Sequence, residues 1–60
     1  MALYQVLFLD HGDNVRVMHH VELDDDELAI EAAHQMNVLP HFGSGFEVWE
    51  SDRLVHRHRN

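Results

Sequence analysis

Near the start of this chain two apolar runs meet at a cluster of turn formers, and that arrangement limits the possible folds more than any other feature. Leu3 to Asp10 is aromatic and aliphatic with Gln5 as its polar interruption, and Val15 to Leu23 is rich in valine. Both runs read as β-strands. Between them stands His11-Gly12-Asp13-Asn14, in which Gly12 is suited to positive φ. A tight turn centred on His11-Gly12 puts Leu9 opposite Asn14, Phe8 opposite Val15 and Val6 opposite Val17. Tyr4, Val6, Phe8, Val15, Val17 and Val21 then share one face, and Leu3, Leu7, Leu9, Arg16, Met18, His20 and Glu22 share the other.

The acidic run Asp24-Asp25-Asp26-Glu27 reads as a helix start. Asp24 caps the first turn, Glu27 stands three residues on as in a capping box, and the carboxylates meet the positive end of the helix dipole. Leu28, Ala29, Ala32, Ala33 and Met36 recur at helical spacing, with Ile30 to one side and Glu31, His34 and Gln35 on the opposite face. The small alanines predict close approach to a sheet. Asn37 ends the helix and Pro40 prevents its continuation. Residues 38–45 form a crossing loop. Phe46 to Glu50 and Arg53 to Arg57 make a second hairpin around Ser51-Asp52, pairing Val48 with Val55 on one face and Trp49 with Leu54 on the other.

The expected fold is α+β, a four-stranded antiparallel or mixed sheet (β-β-α-β-β) with one helix packed on one face, in a single domain over 1–60. A chain this short buries only about 60% of its unfolded surface, so its core is marginal. Such scaffolds gain stability from disulfides, a metal or association. Cysteine is absent, which leaves histidine-held metal or association. The helix covers the face with Tyr4, Val6, Phe8, Val15, Val17, Phe46, Val48 and Val55. Leu3, Leu7, Leu9, Met18, Trp49 and Leu54 remain on the other, a patch larger than monomers usually expose.

The closing stretch Phe46-Glu47-Val48-Trp49-Glu50-Ser51-Asp52-Arg53-Leu54-Val55 resembles the last hairpin of small bacterial proteins of about this length, a group with no assigned activity. Their opening strand ending in Asp is similar to Tyr4–Asp10, and their acidic helix start and alanine-bearing helix are similar to Asp24–Met36. The resemblance implies a β-β-α-β-β fold and no particular activity. The strand-strand-helix order also looks loosely like HicB-type antitoxin domains, from which this chain departs in having no DNA-binding segment after the fourth strand.

Charge restricts the partners. The 11 acidic residues face 4 arginines, a formal charge of −7. All the acids and Arg16 lie in residues 1–52, whereas Arg53, Arg57 and Arg59 lie in residues 53–60. An acidic body disfavours nucleic acid, whose binding depends on neutralising phosphates, so only the arginine tail could act as a weak nucleic-acid binder. There are seven histidines. Because ordinary histidine titrates near ~6.5, mild acid removes most of the net charge and favours association. The apolar N-terminal run lacks a basic region and falls far short of the ~20 residues a membrane span needs. A cytoplasmic protein without membrane contact is expected.

Few residues suggest chemistry. His56 and His58 lie two apart on a strand, hence on one face, where they could chelate a divalent ion with His20, and with Glu22 or Glu47 from a neighbouring strand. His34 reads as a surface histidine and His41 as a loop one. The acidic run lacks the alternating ligands and glycine of a calcium loop, and Gly43-Ser44-Gly45 is followed by a strand, so it reads as a flexible loop rather than a phosphate cradle. The hydroxyls are those of Ser44, Ser51 and Tyr4, and none stands in a recognisable nucleophile–base pattern. The reading is therefore a non-enzymatic interaction or regulatory module without a cofactor, a homodimer or protein-bound through Leu7, Leu9, Met18, Trp49 and Leu54. The alternative is a metal- or pH-responsive module using His20, His56 and His58.

Overall fold

The computed structural model describes residues 1–37 and 43–59. It has four strands, β1 (Ala2–Leu9), β2 (Val15–Leu23), β3 (Gly45–Glu50) and β4 (Arg53–Arg59), and a helix α1 (Asp26–Met36) between β2 and β3. The strands form one sheet in the order β2-β1-β3-β4, antiparallel at every junction. The α+β layout with element order β-β-α-β-β thus holds. Of the expected crossing loop, residues 38–42, with Pro40 and His41, lie outside the described residues. No described helix is long and apolar enough to cross a membrane.

The alternation of β1 decides where the core lies. Tyr4, Val6 and Phe8 point to one face and meet Phe46 and Val48 of the adjacent β3, and none of the five is more than 5% exposed. Ala29 and Ala33 of α1 are fully buried on the same face. Their methyl groups let the helix backbone come close to the sheet. Ala2, Val17, Val21, Leu23, Met36 and Val55 pack around this centre. Leu28, expected on the covered side, is instead 41% exposed.

The helix begins one residue later than the acidic run suggested. The cap is Asp25, not Asp24: its φ of −151° and ψ of 172° are extended, and its Oδ1 accepts from Leu28 N at 2.9 Å. Leu28 therefore occupies the third helical position, where a capping box would have placed Glu27. At the other end Asn37 closes the helix, as expected, its N–H donating to the Ala33 and His34 carbonyls.

Both hairpins depart from the simplest register. In the first, the loop has three residues, His11-Gly12-Asp13, because Asp10 N donates to Asn14 O at 2.9 Å. Asp13, not Gly12, adopts the left-handed conformation, with φ 62°. The Asp10 carboxylate braces the turn by accepting from Gly12 N and Asn14 N at 2.8 and 3.0 Å. These bonds hold Asp10 below the usual carboxylate range. A bulge at Arg16 follows, so Leu9 pairs with Val15 but Phe8 pairs with Val17. Val17 and Val21 keep the covered face, whereas Val15 moves out beside Leu9 and is 52% exposed.

In the second hairpin Trp49 pairs with Leu54 as expected, but Val48 pairs with His56. Val55 is the extra residue of a bulge. Beyond it the parity of β4 reverses, and His56 and His58 come to lie on the helix-covered face opposite Val48 and Phe46. Backbone packing holds β4 there. Gly45 has φ 149°, and a Cβ on it would stand 1.9 Å from the His58 carbonyl oxygen. At Gly43, φ 141°, a Cβ would stand 2.3 Å from Leu9 O. Ser44 joins the two strands by donating from N to Leu9 O and from Oγ to Asp10 O. Gly43-Ser44-Gly45 is thus a place of close backbone contact rather than a flexible loop.

Candidate functional site

Among the described residues, the face of the sheet away from α1 is bare. The registers place Met18, Leu7, Glu47 and Arg57 in one row across it, and His20, Gln5, Trp49 and Leu54 in the next. Leu3, Met18 and Leu54 are 54%, 52% and 39% exposed, and Leu7, Leu9 and Trp49 are half-buried. All five residues picked out as an interface lie on this face. Three of its polar side chains satisfy one another: Glu47 accepts from Trp49 Nε1 through Oε1 and from Arg57 Nε through Oε2, both at 2.9 Å. Arg57 carries its charge against Glu47, Arg59 stands 3.7 Å from Asp13, and Arg53 is bound to Asp26. The arginines of the tail are therefore matched with carboxylates rather than presented as a cationic strip.

Compared with known proteins, this chain matches no family model, no curated protein and no solved structure. Its functional reading rests on its own geometry.

The histidines separate into two groups. His20 pairs with Gln5 on the bare face of β2, one edge of the sheet, whereas His56 and His58 lie on the covered face of β4, the other edge. The expected His20–His56–His58 set is corrected accordingly, and Glu22 and Glu47, on the bare face, are excluded with His20. His34 takes the third place. It stands in the last turn of α1, and its donor atoms and those of His56 and His58 all lie within 4.8 Å of one another. Ring centroids are 4.9 Å apart for His34–His58 and 5.8 Å for His34–His56. Phe46 is the common floor, at 5.0 Å from His34, 5.1 Å from His58 and 6.0 Å from His56. His56 Nε2 is buried without a hydrogen-bond partner. Repulsion from Arg57 and Arg59 is removed by alternation, since both point to the other side of β4.

The second polar cluster is structural. Asp26, the first helical residue, accepts from the Tyr4 hydroxyl at 2.7 Å and from both terminal nitrogens of Arg53 at 3.0 Å. Arg53 also binds Glu50. The Arg53 guanidinium, then the Tyr4 hydroxyl, keep the Asp26 carboxyl below its ordinary range. The bond to Asp26, aided by burial, pushes the Tyr4 phenol up to about 12. The cluster fastens the helix start to β1 and to the second hairpin, so the acidic run serves as cap and clamp. Neither Asp26 nor Tyr4 was singled out for this role. The available signal was a tyrosine on the core face, whose hydroxyl needs a partner once buried.

Proposed function

We propose that this chain is a small non-enzymatic binding module that acts through its bare sheet face, and that the occupant of that face is a second copy of the chain. The observation that supports this most directly is the pairing of the helix with one face only. Apolar residues are left exposed on the other, where the Trp49, Glu47 and Arg57 polar groups already satisfy one another. That paired trio loses less on desolvation than polar groups that depend on water.

Size favours a copy of the same chain over a small ligand. Strands of six to nine residues rise about 25 Å on average, and four of them span about 19 Å, a projected face near 500 Å². Two such faces together bury about 950 Å² before side-chain relief is counted, at the lower edge of the size of a specific interface. Face-to-face packing of two sheets at ~10 Å is a common solution for an apolar sheet surface. Because each chain carries a formal charge of −7, repulsion opposes the dimer and added salt strengthens it.

Sedimentation velocity from micromolar to millimolar protein tests the proposal. The expected result is a concentration-dependent shift from one chain to two, moved to lower concentration by salt. A Leu3→Glu/Met18→Glu variant, altered at two exposed positions, stays monomeric with an unchanged circular dichroism spectrum. A wild-type chain that remains monomeric over the whole range overturns the reading.

A further inference from the structure

We infer that His34, His56 and His58 form a binding site for one Zn²⁺ ion, holding the end of α1 to the edge strand β4. The trio is the group of three or more possible ligands whose donor atoms converge among the described residues. It owes its existence to the Val55 bulge, without which His56 and His58 would face away from the helix.

The chemistry of the donors selects the metal. Three imidazoles suit late first-row ions, whereas calcium and magnesium require oxygen ligands. Three histidine nitrogens with a fourth position open are a donor set that Zn²⁺ takes in tetrahedral sites. Zn–N bonds of about 2.0–2.1 Å require nitrogens about 3.4 Å apart, so the present spread of up to 4.8 Å must close by about 1.5 Å. Rotation of the exposed His34 ring, together with small shifts in the partly exposed His58, provides that movement. A buried imidazole nitrogen without a partner, His56 Nε2, is costly in the metal-free protein, and coordination would satisfy it. Three protein ligands leave a fourth position for water.

The site also meets a structural need. β4 is an edge strand bound to one neighbour, and a small cysteine-free domain gains from a metal staple. Binding to the native state alone raises stability with zinc concentration.

The test is calorimetric titration of the untagged full chain with zinc sulfate after exhaustive chelation. One ion per chain is expected, with a thermal midpoint that rises with free zinc. The absorption of the cobalt(II) form should be that of a tetrahedral site. His34→Gln and His58→Gln should each lower affinity by more than the ~10–100-fold that a residue merely orienting a ligand is worth. His11→Gln and His20→Gln should leave it unchanged. His34 is exposed, so if His58→Gln fails to fold, His34→Gln alone decides. Absent stoichiometric binding, or an equal loss in the control variants, overturns the inference.

Discussion

In the first hairpin two one-residue additions occur, the third loop residue and the bulge at Arg16, and their effects on facing cancel. Val17 and Val21 reach the helix just as they would from an unbulged two-residue hairpin. The second hairpin has a single addition, Val55, and nothing compensates for it. Every residue beyond it exchanges faces, which brings His56 and His58 to the helix and turns Arg57 and Arg59 toward the bare side. Strand side chains alternate with a period of two, so facing depends on whether the number of inserted residues is odd or even.

The largest effect on this contrast is expected at Gly45, where β3 and β4 touch through their backbones. Gly45→Ala drives a methyl group into the His58 carbonyl and costs about 1–3 kcal/mol in urea denaturation, as overpacking does. Zinc affinity falls with it, because β4 must move away from His34. Gly12→Ala, in the first hairpin, gives the smallest effect. A Cβ there meets only the side chains of Asn14 and Asp10, at 3.1 and 3.4 Å, and the stability change should stay within about 0.5 kcal/mol. If the two substitutions prove equally damaging, the asymmetry between the hairpins is wrong.

Titration gives an effect between these. Asp10 braces the first turn and Asp26 secures the second hairpin through Arg53, and both carboxyls are held low. Their contribution is present above the ordinary carboxylate value near ~4 and is lost as pH falls through their lowered folded values. Tyr4 has the opposite sign. Its phenol is raised to about 12, so its contribution is complete below the ordinary ~10 and disappears as pH rises toward the folded value. Asp26→Asn should weaken the acid dependence and bring tyrosinate absorbance back toward ~10. Asp10→Asn should change only the acid limb. Unfolding curves against pH, with tyrosinate absorbance followed in parallel, separate the two variants.

The elements were legible because the turn residues stand between two strand-like runs, and the facing of β1 because Tyr4, Val6 and Phe8 put the aromatic rings on one side, with Leu3, Gln5, Leu7 and Leu9 on the other. The parity of β4 was not. Leu54 and Val55 are adjacent apolar residues, and either could lead the covered face. The alternation of histidine and arginine after them is equally regular in both registers. A bulge leaves no composition signal here, and the backbone contact at Gly45 involves no side chain whose character could announce it. His34 reads as a surface residue because it is polar and falls on the helix face opposite the alanines. Its position beside the buried Ala33, one turn from the helix end, is what brings it over Phe46. The cap moved from Asp24 to Asp25 because three successive aspartates offer equivalent candidates, and Asp26 is drawn to Tyr4 and Arg53.

The sheet order has a consequence for how the molecule is made. β1 is central, yet its neighbour β3 lies on the far side of the helix in the chain, so that Gln5 must wait for Trp49. The Asp26 clamp likewise waits for Arg53. An emerging chain can form the first hairpin and the helix, but it has no second half of the sheet to bury Tyr4, Val6 and Phe8. Completion of the core therefore waits on one distant pairing, β1 with β3, between two local hairpins, and a fragment ending before β3 should remain without a fixed core.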